Sequence, residues 1–145
     1  NNTLALAPFS GLNTLEAADF ISWNELSLNY QITGSILDTF NIDPKNIELA
    51  ITKRTRAIIV VHLYGLPCQM DEINEIARKN SIYVFEDAAQ AHGAKYKNNP
   101  CGSFGHISTF SFYPNKQITT GEGGMVVTND IQIIYLTTFL FLLMV

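Results

Sequence analysis

This sequence predicts an α/β fold with a mostly parallel sheet and flanking helices, and three observations predict it. Two short apolar runs rich in β-branched residues, "RAIIVVHLYG" at 56–65 and "SIYVFEDAA" at 81–89, have the unbroken character of strands buried on both faces. Between them, "LPCQMDEINEIARKN" carries apolar residues at helical spacing. A strand, a helix and a strand within roughly 30 residues make a βαβ unit with a right-handed crossover.

The elements follow in order. In "NIDPKNIELAIT", Asp43 can cap a short helix with Pro44 at its first position. The first strand closes on Gly65. In the next helix Met70, Ile73, Ile76 and Ala77 form one apolar face. Asp71, Glu72 and Glu75 come early and Arg78 and Lys79 late, which complements the helix dipole, and Asn80 is a C-terminal stop. Residues 92–106, "HGAKYKNNPCGSFGH", read as a loop. "ISTFSFY" at 107–113 is a third strand, and "GGMVVTND" at 123–130 a fourth. The intervening "TTGEGG" lacks the spacing of a nucleotide-binding P-loop. It reads as a hairpin in which Gly121, Gly123 and Gly124 permit positive φ.

The totals exclude several classes of function. The chain has 145 residues, 47% hydrophobic and 15% charged, a profile that suits a packed core and not a disordered segment. A formal net charge of -4 argues against nucleic-acid binding. No Lys or Arg precedes Lys45, whereas five acids do, so "NNTLALAPFSG" is a poor signal peptide. Cys68 and Cys101 form no CxxC and read as free thiols in a reducing, cytoplasmic setting. Residues 131–145, "IQIIYLTTFLFLLMV", carry no charge but fall short of the roughly 20 residues of a membrane span.

Ligands of open α/β sheets sit outside the carboxyl ends of the strands. Asp87 ends one strand and Gln90 follows three residues later, while Ser111 and Lys116 lie at and just beyond the end of another. An acid, a lysine and a hydroxyl at a sheet edge suit pyridoxal 5'-phosphate (PLP). That cofactor needs a lysine amine for its Schiff base and a carboxylate beside its pyridine nitrogen. It also needs hydroxyl and N–H donors for its phosphate. Spacing alone leaves plainer roles open. Asp87 could cap its turn, Gln90 could bond only to backbone, Ser111 could face either side of the sheet, and Lys116 could be a solvated cation. Glu86, next to Asp87, points to the other face in a packing or surface role. Tyr64 and Tyr113 read as core residues. His62, His92 and His106 have no metal-ligand spacing, so no metal is expected.

Three motifs sharpen this. "VHLYGLPCQMDEI", "VFEDAAQAHGAKY" and "FSFYPNKQITTGEGGMVVTND" together resemble the DegT/StrS-type nucleotide-sugar aminotransferases, PLP enzymes of the aspartate-aminotransferase fold. The similarity runs from about Leu37 to Asp130. It implies that Lys116 is the Schiff-base lysine, that Asp87 pairs with the pyridine nitrogen, that Gln90 lies near the ring hydroxyl, and that Ser111 helps hold the phosphate. Dehydratase relatives place histidine where this chain has Lys116, so the lysine favours amino transfer. The implied reaction moves an amino group from glutamate to a keto-sugar on a nucleoside diphosphate, in polysaccharide or deoxyamino-sugar biosynthesis, by a homodimer. "HLYGLPCQMDEI" is similar to enzymes that aminate C4 of 6-deoxy-4-keto sugars, such as perosamine-type synthases. The expected organisation is a poorly matching segment at 1–37, the core of the PLP-transferase large domain at 38–130, and an apolar tail at 131–145. The C-terminal small domain is then absent, as in a truncated member. Phe9 or Trp23 could stack on the ring, but nothing in the spacing selects them.

Overall fold

The computed structural model describes residues 38–143, so Phe9, Trp23 and the whole 1–37 segment lie outside the described residues. Helix α1 spans Pro44–Ala50. The Asp43 carboxylate accepts from the Lys45 N–H at 3.0 Å, and Pro44 occupies the first turn, where no N–H is needed. Strand β1, Ala57–Val61, is shorter than the apolar run that predicts it. A 3-10 turn at Leu63–Gly65 follows, with Tyr64 at φ 51°. This turn carries the Tyr64 ring outward, so the residue is 86% exposed and is not a core aromatic.

Helix α2, Met70–Asn80, buries Met70, Ile73, Ile76 and Ala77, the four residues that its periodicity selects. Each large apolar side chain removed from water contributes about 1.5–3 kcal/mol. The helix ends on Ser81, which takes the left-handed conformation at φ 52°, one residue beyond the stop read from sequence. Strand β2 is Tyr83–Asp87. A small hairpin of β3, Lys95–Tyr96, and β4, Asn99–Pro100, lies within the segment read as loop. Its tight turn puts Lys97 and Asn98 at positive φ. Strand β5 is Ile107–Ser111, and β6 is Gly124–Val127. Helix α3, Ile131–Leu143, spans most of the uncharged stretch. No helix among the described residues is long and apolar enough to cross a membrane.

The sheet runs β1-β2-β5-β6, with β1, β2 and β5 parallel and β6 antiparallel to β5. This is the mostly parallel α/β arrangement expected from the sequence. Its register sorts the side chains into two faces, because alternate residues of a strand point opposite ways. On one face Ile58 stands beside Val84, and Val60 beside Glu86 and Ser108. That face packs with α1 and α2 into a core that includes Ile47, Cys68, Met70, Ile73 and Ile76. On the other face Ile59, Phe85 and Ile107 form one row, and Val61, Asp87 and Thr109 the next. Here Ile59 is 62% and Tyr83 51% exposed.

Candidate functional site at the carboxyl ends of β2 and β5

Register brings the first two candidates together. Asp87 pairs with Thr109, and Ser111, two residues farther along β5, returns to the same face. Both therefore lie on one face at the carboxyl ends of neighbouring strands. The Asp87 Oδ1 accepts from the Ala89 N–H at 2.9 Å, so the turn-capping role is filled. Among the described residues its Oδ2 has no hydrogen-bond partner. One oxygen fixes the side chain, and the other is open to a further donor. Ser111 Oγ accepts from the Tyr113 N–H at 3.3 Å, which leaves its own O–H free to donate.

Gln90 is held by its oxygen. The Tyr64 N–H donates to Oε1 at 2.8 Å, and a donor there requires the amide oxygen, so Nε2 is the end left free among the described residues. Gln90 thus both bonds to backbone and presents a donor. Lys116 is half-buried in the 112–123 loop, its N–H donating to the Tyr113 carbonyl at 3.0 Å. This loop is tied directly to the loop after β2, since Gln117 Nε2 donates to the Gln90 carbonyl at 2.7 Å. The residue beside Lys116 therefore touches the segment that begins at Asp87. Gly121 and Gly123 take φ of +85° and +147°, as hairpin glycines should. Gly124 does not share that conformation. It is small because a Cβ there would stand 3.0 Å from the Phe110 carbonyl oxygen. Tyr113, read as core, is 38% exposed on this rim.

Behind the site lies a buried charge that sequence reasoning left as packing or surface. Glu86 is 1% exposed and faces the core. Its carboxylate accepts from His62 Nε2 at 3.0 Å, Gly102 N at 2.7 Å, Phe104 N at 2.7 Å, the Gly105 N–H and the Ser108 hydroxyl at 3.1 Å. The Cys68 N–H donates to His62 Nδ1 at 3.1 Å, so the ring is neutral with its proton on Nε2. Burial pushes Glu86 up, but the His62 hydrogen bond and the three backbone N–H groups outweigh it, and the group titrates below its ordinary 4.5. Cys68 and Cys101 are free thiols; burial pushes Cys68 up to about 12 and Cys101 to about 11, so neither is a ready nucleophile.

Two more residues of this site escaped sequence reasoning, Gln117 and His92. His92 Nε2 lies 2.8 Å from the Ser111 carbonyl, and its ring sits against Phe110 and Phe112. The motif contains His92, but only the fold reveals its partner. A hollow of about 580 Å³, lined by Phe104, His106, Asn129 and Asp130 among others, lies at the opposite end of β5. It shares no residue with the group around Asp87.

The profile of the DegT/DnrJ/EryC1/StrS aminotransferase family matches residues 31–140. This chain belongs to that family. The match extends ten residues past the point where the motifs fade, into α3. A GDP-perosamine synthase of Escherichia coli O157:H7 is 56% identical over 93 residues, which cover 64% of this chain and 26% of that protein. The solved aminotransferase PseC of Helicobacter pylori, involved in the biosynthesis of pseudoaminic acid, is 31% identical with a TM-score of 0.77, over 88% of this chain and 33% of that one. The E. coli GDP-4-keto-6-deoxy-D-mannose-3-dehydratase, solved with bound hydrated PLP, is 38% identical with a TM-score of 0.67, over 71% and 26%. The chain spans about a quarter of the length of the curated relatives it matches. The family is PLP-dependent and includes aminotransferases of nucleotide sugars.

Proposed function

We propose that this chain carries the cofactor-binding core of a cytoplasmic PLP-dependent transaminase acting on nucleoside-diphosphate keto-sugars, with glutamate as amino donor. The observation that carries the reading is the placement of Asp87 and Ser111 on one sheet face, with the Lys116 loop joined to Gln90. The residues present fit the cofactor. Among the described residues, Asp87 Oδ2 is an unpartnered acceptor for a ring N–H, Gln90 Nε2 a free donor for a ring hydroxyl, and the Ser111 hydroxyl a free donor for a phosphate oxygen. When bound, PLP supplies an electron sink beside the substrate's amino-bearing carbon. Asp87 would hold a proton on the ring nitrogen. Lys116 Nζ would anchor the cofactor and would be the base for the substrate's amino-bearing carbon. The GDP-perosamine synthases among the relatives support a 4-keto-6-deoxy sugar as acceptor. Pairing of two chains, as in the family homodimer, belongs to the same proposal.

The test is a titration of the full chain with PLP. A visible absorbance band, removed by Lys116→Ala, is the expected result. A wild-type chain without that band at saturating PLP overturns the reading. A second reading rests on the exposed Ile59 and Tyr83. In it the chain is inactive by itself and pairs with a full-length relative. Light scattering with and without such a relative separates the two, because the first reading needs no heterologous partner to form the band.

A further inference from the structure

We propose that His92 is a positioning residue for the phosphate end of the cofactor, acting through Ser111; the inference rests on the PLP reading. A carbonyl oxygen only accepts hydrogen bonds, so the 2.8 Å contact with Ser111 O fixes the His92 proton on Nε2. The imidazole is itself held in place. Its centroid lies 5.2 Å from that of Phe110 and 5.4 Å from that of Phe112. Those two residues flank Ser111 in sequence, and alternation sends them to the face opposite the Ser111 side chain. His92 therefore grips the end of β5 from behind, while the Ser111 hydroxyl faces the site. Ser111 is the last residue of β5, where strand pairing ends and the 112–123 loop begins. Without the His92 bond, nothing from the β2 side fixes its carbonyl at that point among the described residues. The Gln117 bond to Gln90 O holds the Lys116 end of the loop in the same manner. The division of labour follows: His92 sets the phosphate donor, and Gln117 sets the lysine.

Two aldehydes that differ only in the phosphate test this on the full chain. PLP and pyridoxal are each titrated by the visible band of the lysine adduct, and the ratio of their dissociation constants is the readout. His92→Phe keeps an aromatic ring between Phe110 and Phe112 but loses the N–H. It is expected to weaken PLP roughly five- to tenfold, the scale of one hydrogen bond, and to leave pyridoxal unchanged. His92→Gln keeps a donor and is expected to recover part of the loss. A merely structural role would weaken both aldehydes alike, and an unchanged ratio in His92→Phe overturns the proposal. So does loss of folding in both variants, which would make His92 a packing residue. Nitrogen-15 NMR of the imidazole reads the Nε2–H tautomer without cofactor, and a proton on Nδ1 alone also overturns it. Failure of the PLP reading looks different: the wild-type chain then binds neither aldehyde.

Discussion

Glu86 and Asp87 are consecutive carboxylates on one strand, and they have opposite fates. Glu86 points into the packed face, is sealed from water and accepts from five donors. Asp87 points to the open face, is half-buried and keeps one oxygen unspent. The difference teaches how to tell a structural charge from a functional one. A buried carboxylate whose acceptor sites are filled by the fold has no capacity left for a ligand. A carboxylate that is oriented by one bond and free at its other oxygen is prepared for a donor that the fold does not supply.

The largest effect separates these two residues by stability. Glu86→Ala strands the His62 ring N–H and three backbone N–H groups in the core and leaves a cavity. A loss of about 3–5 kcal/mol is expected, read as a fall in the urea midpoint. Asp87→Asn keeps an acceptor for the Ala89 N–H and is expected to stay within about 0.5 kcal/mol of wild type. Equal losses would erase the contrast. The pH dependence sharpens it. Glu86 titrates below its ordinary 4.5 in the folded chain, so its stabilisation is complete above the unfolded value. It is lost as pH falls through the lower native value. Urea midpoints measured from pH 6 down to pH 2 should therefore drop in the wild type. The Glu86→Ala profile should be flatter over that window, since the group that binds the proton is gone.

Next comes the loop that supplies the Glu86 donors. Gly102 gives its N–H to Glu86 at φ +89°, and a Cβ there would stand 2.4 Å from the Phe110 ring. Gly102→Ala strains the backbone and pushes on a ring that also touches His92. A loss of about 2 kcal/mol is expected in urea unfolding. Because the displaced ring packs on His92, a lowered PLP-to-pyridoxal preference is expected as well. A variant with wild-type midpoint would show that Phe110 has room to move.

How much of this was legible in the sequence depended on whether a local period carried it. Helix α2 was legible because its four buried residues repeat at helical spacing, and α1 because Asp43 and Pro44 are local signals. The site was half legible: motif letters pointed to Asp87, Gln90, Ser111 and Lys116, and alternation made one face available to Asp87 and Ser111. Alternation also turned Glu86 away from Asp87, but could not say that a loop of Gly102, Phe104 and Gly105 would close over it. Those donors are backbone groups, and no side-chain letter announces them. Tyr64 was misread because a 3-10 turn, not a strand, follows Val61. The β3–β4 hairpin was missed because two-residue strands have no period to detect.

The smallest expected effect checks that the site and the far end of the molecule are independent. Asp43 holds the start of α1 through the Lys45 N–H and, with its other oxygen, Asn46 Nδ2 at 3.1 Å. Asp43→Ala removes a helix cap and should cost about 1 kcal/mol in the urea midpoint. Helix α1 packs with α2 on the closed face, the one opposite to that of Asp87 and Ser111. The ratio of PLP to pyridoxal affinity should therefore be unchanged by this variant, although it lowers stability about half as much as Gly102→Ala. A shift in that ratio would mean that stability lost anywhere loosens the phosphate end, and the contrast between the two faces would then be one of degree.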